Sequence, residues 1–268
     1  MARVRTEKIR LDRLLVERGL ANSRERAQGL ILAGQVLVNE QKQEKCGTLV
    51  DGKATLRLLG EPPKYVSRGG LKLEGALEHF RVNPDAKVCL DIGASTGGFT
   101  DCLLQLGAAK VFAVDGGTNQ LDWKLRHDPR VVVMEKTNAR YLTFDRIGMQ
   151  VELVTIDVSF ISVTLILPPL IPLVASPAEL LVLVKPQFEV GKGQVGKGGI
   201  VRDPAQHQEA VAKVSRVLLE LGFSGLMSME SPLPGAEGNR EFFIHAVWKK
   251  VAAGSLPMAR CLRCVSNH

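Results

Sequence analysis

The chain lacks an uninterrupted apolar stretch long enough to cross a bilayer as a helix. Its uncharged run of nearly that length, Val158 to Ala178, is broken by Pro168, Pro169, Pro172 and Pro177, each of which removes a backbone donor, so it reads as a strand, a short helix and loops. Met1 to Arg10 alternates charged and apolar residues and lacks the apolar core of a secretory signal, which argues against export by that route. Cysteine is scarce: Cys46, Cys89, Cys102, Cys261 and Cys264 form no even, regularly spaced framework, and Cys89 lies in an apolar strand. A disulfide-stapled scaffold is thereby excluded, and a reducing, cytoplasmic setting is expected. Cys261-x-x-Cys264 has no second pair and only His268 nearby, so no metal site is expected.

Acidic residues are absent from 249–268, and the net charge of +7 is uneven: residues 1–64 carry +5, residues 249–268 carry +4, and the middle is slightly acidic. Basic flanks around a near-neutral centre suit a polyanion, nucleic acid first, although a solvated charged surface gives the same count. At 268 residues and 45% hydrophobic, the chain is long enough for two domains with a substantial core.

The most informative stretch is Val88-Cys89-Leu90-Asp91-Ile92-Gly93-Ala94-Ser95-Thr96-Gly97-Gly98-Phe99-Thr100, a buried strand entering a glycine turn and then a helix. Gly93, Gly97 and Gly98 let backbone approach a ligand, while Asp91, Ser95 and Thr96 supply oxygens. Ser95 stands where a dinucleotide fingerprint needs its second glycine, which weakens a nicotinamide reading. The next strand ends at Asp115, placed for a ribose diol, and a third leads to Asn138, placed for an adenine. Asp91, Gly93, Ala94, Ser95, Thr96, Gly97, Gly98, Asp115 and Asn138 are therefore the candidate S-adenosylmethionine contacts. A glycine turn that merely caps a core strand is the alternative.

Before this stretch, residues 11–18 read as an amphipathic helix stopping at Gly19, and Ser23 caps a second helix ending at Gly34, followed by a strand over 35–39. Arg10-Leu11-Asp12-x-Leu14-Leu15, Gly19-Leu20-Ala21-x-Ser23-Arg24 and Gly34-x-Val36-x-Val38-Asn39 closely resemble the S4 RNA-binding domain, across about residues 9–62. Arg5, Arg10, Arg24, Lys42 and, further on, Arg68 are the candidate RNA contacts. The prolines at 62 and 63 mark a stiff linker over 63–66. The expected division is 1–62, linker 63–66, a domain over 67–250 and a basic tail over 251–268.

From residue 67 apolar strands alternate with helical patterns, near 88–92, 110–114, 131–134, 151–156, 180–184 and 241–247. This predicts an α/β fold with a parallel sheet and ligands at the strands' carboxyl ends. Residues 185–205 are glycine-rich and read as a mobile loop over the site, followed by a helix over 205–221. Within that loop, 191–198 imitates a phosphate-binding G-x-x-x-x-G-K but has Gly198 where Ser or Thr must hold magnesium, so a basic loop touching RNA phosphate, or a plain solvated one, is expected instead.

Asp157, Lys185 and Glu241 stand at strand ends and converge on one rim, with Lys72 entering from the preceding helix. A lysine beside carboxylates can orient and polarise a ribose hydroxyl for methyl transfer. The set resembles the Lys-Asp-Lys-Glu group of 2′-O-ribose methyltransferases. Across nearly the whole chain, Tyr65-Val66-Ser67-Arg68-Gly69-Gly70-Leu71-Lys72-Leu73, Gly93–Thr100, Asp157–Ser162, Val184–Gly191 and Ser231-Pro232-Leu233-Pro234-Gly235 resemble the TlyA family of ribosomal-RNA 2′-O-methyltransferases, also known by haemolysin names. The resemblance implies a class I Rossmann-like methyltransferase domain with a mostly parallel seven-stranded sheet, preceded by a small α+β S4 domain. It implies Lys72, Asp157, Lys185 and Glu241 as the catalytic tetrad, Lys185 nearest the target hydroxyl, with cytidine ribose in 16S and/or 23S rRNA as substrate. Basic ends such as Met1 to Glu7 and the tail accompany modification of both subunits in the family, whereas Asp115-Gly116 departs from the family's small apolar residue after the acid. A monomer acting on rRNA within ribosomal subunits, away from membranes, is expected; a non-enzymatic assembly factor and a membrane-active haemolysin are the competing classes.

Overall fold

The computed structural model describes residues 8–21, 23–60, 63–235 and 238–250. Arg5 and the 251–268 tail, with its Cys261-x-x-Cys264, lie outside the described residues.

The first unit pairs α1 (Leu11–Glu17) with α2 (Arg24–Leu32) over two small sheets. Ser23 Oγ accepts from Arg26 N–H, and Gly34 (φ +65) ends the second helix, as their residue types require. Strand β1 (Lys8–Arg10) pairs β4 (Leu49–Asp51), and β2 (Val36–Val38) lies between β3 (Gln41–Gln43) and β5 (Leu56–Leu58). Leu11, Leu15, Ala27, Ile31 and Val36 form its own fully buried core.

The second unit is built on seven strands: β6 (Val88–Ile92), β7 (Lys110–Val114), β8 (Val131–Met134), β9 (Val151–Ile156), β10 (Val174–Val184), β11 (Ser224–Glu230) and β12 (Phe242–Trp248). Their order is β11-β12-β10-β9-β6-β7-β8. Strands β6 to β10 run parallel, and β12 and β11 add antiparallel pairs at one edge. The chain leaves β6 toward β7 and β8, then returns to lay β9 on the other side of β6. That reversal opens a crevice at the carboxyl ends of β6 and β9.

Alternation along the strands feeds two cores. Leu153, Leu181, Leu183 and Phe243 face α3 (Gly69–Phe80) and α4 (Gly98–Gln105), while Val154, Ile156, Val182 and Ile244 face α8 (Pro204–Glu220). Short helices α5 (Trp123–Arg126) and α6 (Phe144–Ile147) precede β8 and β9, and Asp203 caps α8 by accepting from Ala205 N–H, with Pro204 in the first turn, where a missing N–H costs nothing.

Three expectations need amendment. The seventh strand, β11, carries no alternation: it is an edge strand of mostly exposed residues interrupted by Gly225. Strand β10 starts at Val174 rather than 180 and passes through Pro177, because the ladder to β9 shifts register between Val174 and Glu179, where a missing donor is tolerated. The 185–205 segment, expected as a loop, also carries a helical turn, α7 (Pro186–Glu189), whose last residue is buried.

Candidate active site

The turn after β6 occupies the crevice. Asp157, following β9, donates its backbone N–H to Ile92 O at 2.8 Å. Gly93 has φ +84, and a Cβ there would overlap the Asp157 carbonyl oxygen and lie 2.8 Å from the carbonyl carbon, so only glycine lets these two loops touch. Ser95 N–H donates to Asp115 Oδ2 at 2.8 Å and Gly117 N–H to Oδ1 at 2.7 Å. Each Asp115 oxygen therefore keeps a lone pair for a further donor such as a ribose hydroxyl.

Two cavities open from the turn. One, about 290 Å³, is lined by Ser67, Arg68, Lys72, Ala94, Thr96, Gly98, Phe99 and Pro234; the other, about 620 Å³, by Asp115, Lys136, Asn138, Val158, Ser159 and Phe160. Gly93, Ser95 and Asp157 line both, so the two spaces meet there.

Lys72, Asp157, Lys185 and Glu241 form two ion pairs. Lys72 Nζ, buried on α3, donates to Glu241 Oε2 at 2.6 Å. Lys185 Nζ lies 2.6 Å from Asp157 Oδ1 and donates to Ser159 Oγ at 2.8 Å. Lys72 and Asp157 line the smaller cavity, so each pair contributes one member to its wall. Gly235, on the same wall, packs so closely on Glu241 that a Cβ would overlap Oε1. Ser159, which accepts from Lys185, joins the candidate site without having been singled out in the sequence; its place within the Asp157–Ser162 run, two residues beyond the acid, is the available signal.

Gly93, Ala94, Ser95, Thr96, Gly98, Asp115 and Asn138 line one or both cavities. Asn138 also caps the following turn, its Oδ1 accepting from Arg140 N–H at 3.1 Å. Two candidates stand elsewhere. Gly97 (φ +96) packs against Leu121 and Leu125. Asp91 is fully buried beneath the turn, accepting from Thr100 Oγ1 at 2.7 Å and Thr155 Oγ1 at 3.2 Å.

Burial pushes the Asp91 carboxyl up to about 7, with the Asp157 charge adding to the rise and the two threonine hydroxyls opposing it. Between the ordinary carboxylate range near 4 and this value, the folded chain holds a proton that the unfolded chain has lost, so stability falls as pH rises through about 4 to 7. Asp91→Asn is expected to flatten that slope; thermal melts of both proteins at pH 5 and pH 8 measure it, and parallel curves would contradict the assignment.

The proposed RNA contacts fare unequally. Arg68 lines the smaller cavity and donates to Pro234 O at 3.3 Å. Lys42 is half exposed and paired with Glu44 at 3.0 Å. Arg10 and Arg24, also half exposed, both turn to the fully buried Asp12, which Gln28 approaches as well. The Arg10 hydrogen bonds, helped by Gln28 and Arg24, hold the Asp12 carboxyl well below the usual carboxylate range. These two arginines therefore have a structural task besides any contact with phosphate.

Residues 65–248 match the FtsJ-like methyltransferase family and residues 9–56 the S4 domain. The chain is 51% identical over 246 residues to YqxC of Bacillus subtilis, a candidate rRNA methyltransferase, covering 91% of this chain and 87% of that one. It is 50% identical over 236 residues, 88% of each chain, to the Mycobacterium tuberculosis 16S/23S rRNA (cytidine-2′-O)-methyltransferase TlyA. The chain belongs to the TlyA family. A TlyA-like fold has been solved for a hemolysin candidate from Streptococcus thermophilus, 44% identical, with a TM-score of 0.70 over 91% of this chain and 90% of that one. The haemolysin naming within the TlyA family finds no membrane counterpart in the helices: among the described residues none is long and apolar enough to cross a bilayer.

Proposed function

We propose that this chain transfers a methyl group from S-adenosylmethionine to the ribose 2′-oxygen of a cytidine in 16S and/or 23S rRNA. The observation that carries the reading is the meeting of the two cavities at Gly93, Ser95 and Asp157, with the Lys185–Asp157 pair at that junction and Lys72, paired with Glu241, on the wall of the smaller cavity. The larger space suits the methyl donor: Asp115 has acceptor capacity for its ribose, Asn138 stands where the base would lie, and the glycine turn removes side chains from its path. Once bound, the donor would supply an electrophilic methyl carbon whose bond to the sulfonium sulfur breaks as the C–O bond forms, leaving a neutral thioether.

Lys185, fixed by Asp157 and Ser159, has an N–H left to orient the ribose oxygen toward that carbon. Asp157 is the neighbouring acceptor through which the hydroxyl proton can leave as the new C–O bond forms. The Lys72–Glu241 pair keeps the Lys72 side of the smaller cavity charge-balanced and rigid. In the proposed division of labour, residues 1–62 hold structured RNA, 63–66 link, 67–250 catalyse and 251–268 add basic charge.

The test is incubation of the purified chain with ribosomal subunits and radiolabelled S-adenosylmethionine, followed by alkaline hydrolysis of the RNA. Label retained in an alkali-resistant dinucleotide is the expected result, because a methylated 2′-oxygen cannot attack the adjacent phosphate. No RNA label, or label in mononucleotides alone, would sink the reading. RNA affinity should fall with salt, and Lys42→Ala should lower the log–log salt slope by about 0.7–0.9 if that lysine neutralises one phosphate. An unchanged slope removes Lys42 from the interface.

A further inference from the structure

Lys185 and Asp157 sit on different segments, one opening the α7 turn and the other opening the loop after β9, and their pairing distance depends on how these segments are held together. Glu189, the last residue of α7, is buried and reaches across the gap. Its Oε1 accepts from Val163 N–H at 2.7 Å and its Oε2 from Ser162 Oγ at 2.6 Å, both at the far end of the Asp157 loop. Lys213 on α8 seals the arrangement, donating to Glu189 Oε2 at 3.0 Å and to the Glu189 carbonyl at 2.8 Å. Phe188 and Phe160 add a ring contact between the same two segments, with centroids 5.3 Å apart.

We infer that Glu189 is a positioning residue for methyl transfer: with Lys213 it clasps the 157–163 loop to the 185–189 turn and so sets Lys185 against Asp157 and Ser159. The inference rests on the proposed role of Lys185. This buried carboxylate accepts from three donors, two on the 157–163 loop and one on α8, so its removal frees both segments at once. Misplacement of a reacting group by about 1 Å costs about 100-fold in rate.

The experiment compares the wild type, Glu189→Ala and Glu189→Gln in the full-length chain, measuring kcat, KM for rRNA and the dissociation constant for S-adenosylmethionine. Glu189→Ala is expected to lower kcat by about 100-fold while both affinities stay within about threefold. Glu189→Gln keeps an acceptor for Val163 N–H and a partner for the Ser162 hydroxyl, so it should recover most of that loss. A role confined to the charge pair with Lys213 would make the two variants alike. Glu179→Gln, which breaks the remote Lys87–Glu179 pair, is the stability control and should leave kcat unchanged. If Glu189→Ala is not recovered folded, Ser162→Ala and Lys213→Met each cut one arm and should each lower kcat by about three- to tenfold. Wild-type kcat in Glu189→Ala, or in both single-arm variants, overturns the clasp. Absence of methyl transfer by the wild type overturns the proposed function instead.

Discussion

Lys185→Ala should reduce methyl transfer by about 1,000-fold or more while leaving S-adenosylmethionine binding intact. The size follows from what the alanine removes: the cation held by Asp157 and Ser159 is the group proposed to orient the ribose oxygen, and no other lysine pairs with Asp157 among the described residues. Lys185 gives a cleaner test than Lys72. Deleting Lys72 strands Glu241 in an almost solvent-free wall, and an unpaired buried charge costs about 3–5 kcal/mol, so lost activity there would be confounded with lost structure. Asp157 is less deeply buried, with 22% of its side chain exposed, so losing Lys185 leaves a charge that keeps some solvation. Arginine should not restore the rate, because a planar fork cannot occupy the place of a compact ammonium between two fixed oxygens. Single-turnover methylation with calorimetric donor titration decides the matter; a rate within about tenfold of wild type would remove Lys185 from the chemistry.

The second large effect is expected at Gly93. Alanine at φ +84 costs about 1–2 kcal/mol in backbone strain alone. The added Cβ also meets the Asp157 carbonyl, which belongs to the backbone and cannot rotate away. Moving the loop after β9 away from the turn after β6 widens the junction of both cavities, so donor affinity should fall by about 100-fold, equivalent to about 3 kcal/mol. Gly148→Ala is the matched control: its φ is +73, but a Cβ there meets nothing within 4 Å, so it carries the strain without the collision. Calorimetry on both variants separates the effects. Equal donor affinities would show that the contact between the two loops is unimportant.

Much of this was legible from residue order because the central strands are buried on both faces. Runs such as Leu180 to Val184 are wholly apolar and Leu153 to Ile156 is broken only by the buried Thr155, so their ends stand out where an ionisable residue follows. The edge strand β11 pairs on one side only and has no such constraint. The candidate site residues follow the same logic: Asp157 and Lys185 each come directly after such a run. What could not be read was which lysine meets which carboxylate, since that depends on β12 lying antiparallel beside β10 and bringing its first residues, not its last, to the rim. Asp91 was assigned to the ligand because it adjoins the glycine turn. Strand alternation directs it beneath that turn toward Thr100, where burial rather than a ligand governs its proton.

The Lys72–Glu241 pair joins residues 169 positions apart, across the whole of the second unit. During synthesis Lys72 emerges long before its counter-charge exists, and one wall of the reaction space is completed only when β12 threads between β10 and β11. Closing this pair is thus a non-local contact, which needs the first helix and the last strand of the second unit to be in place together.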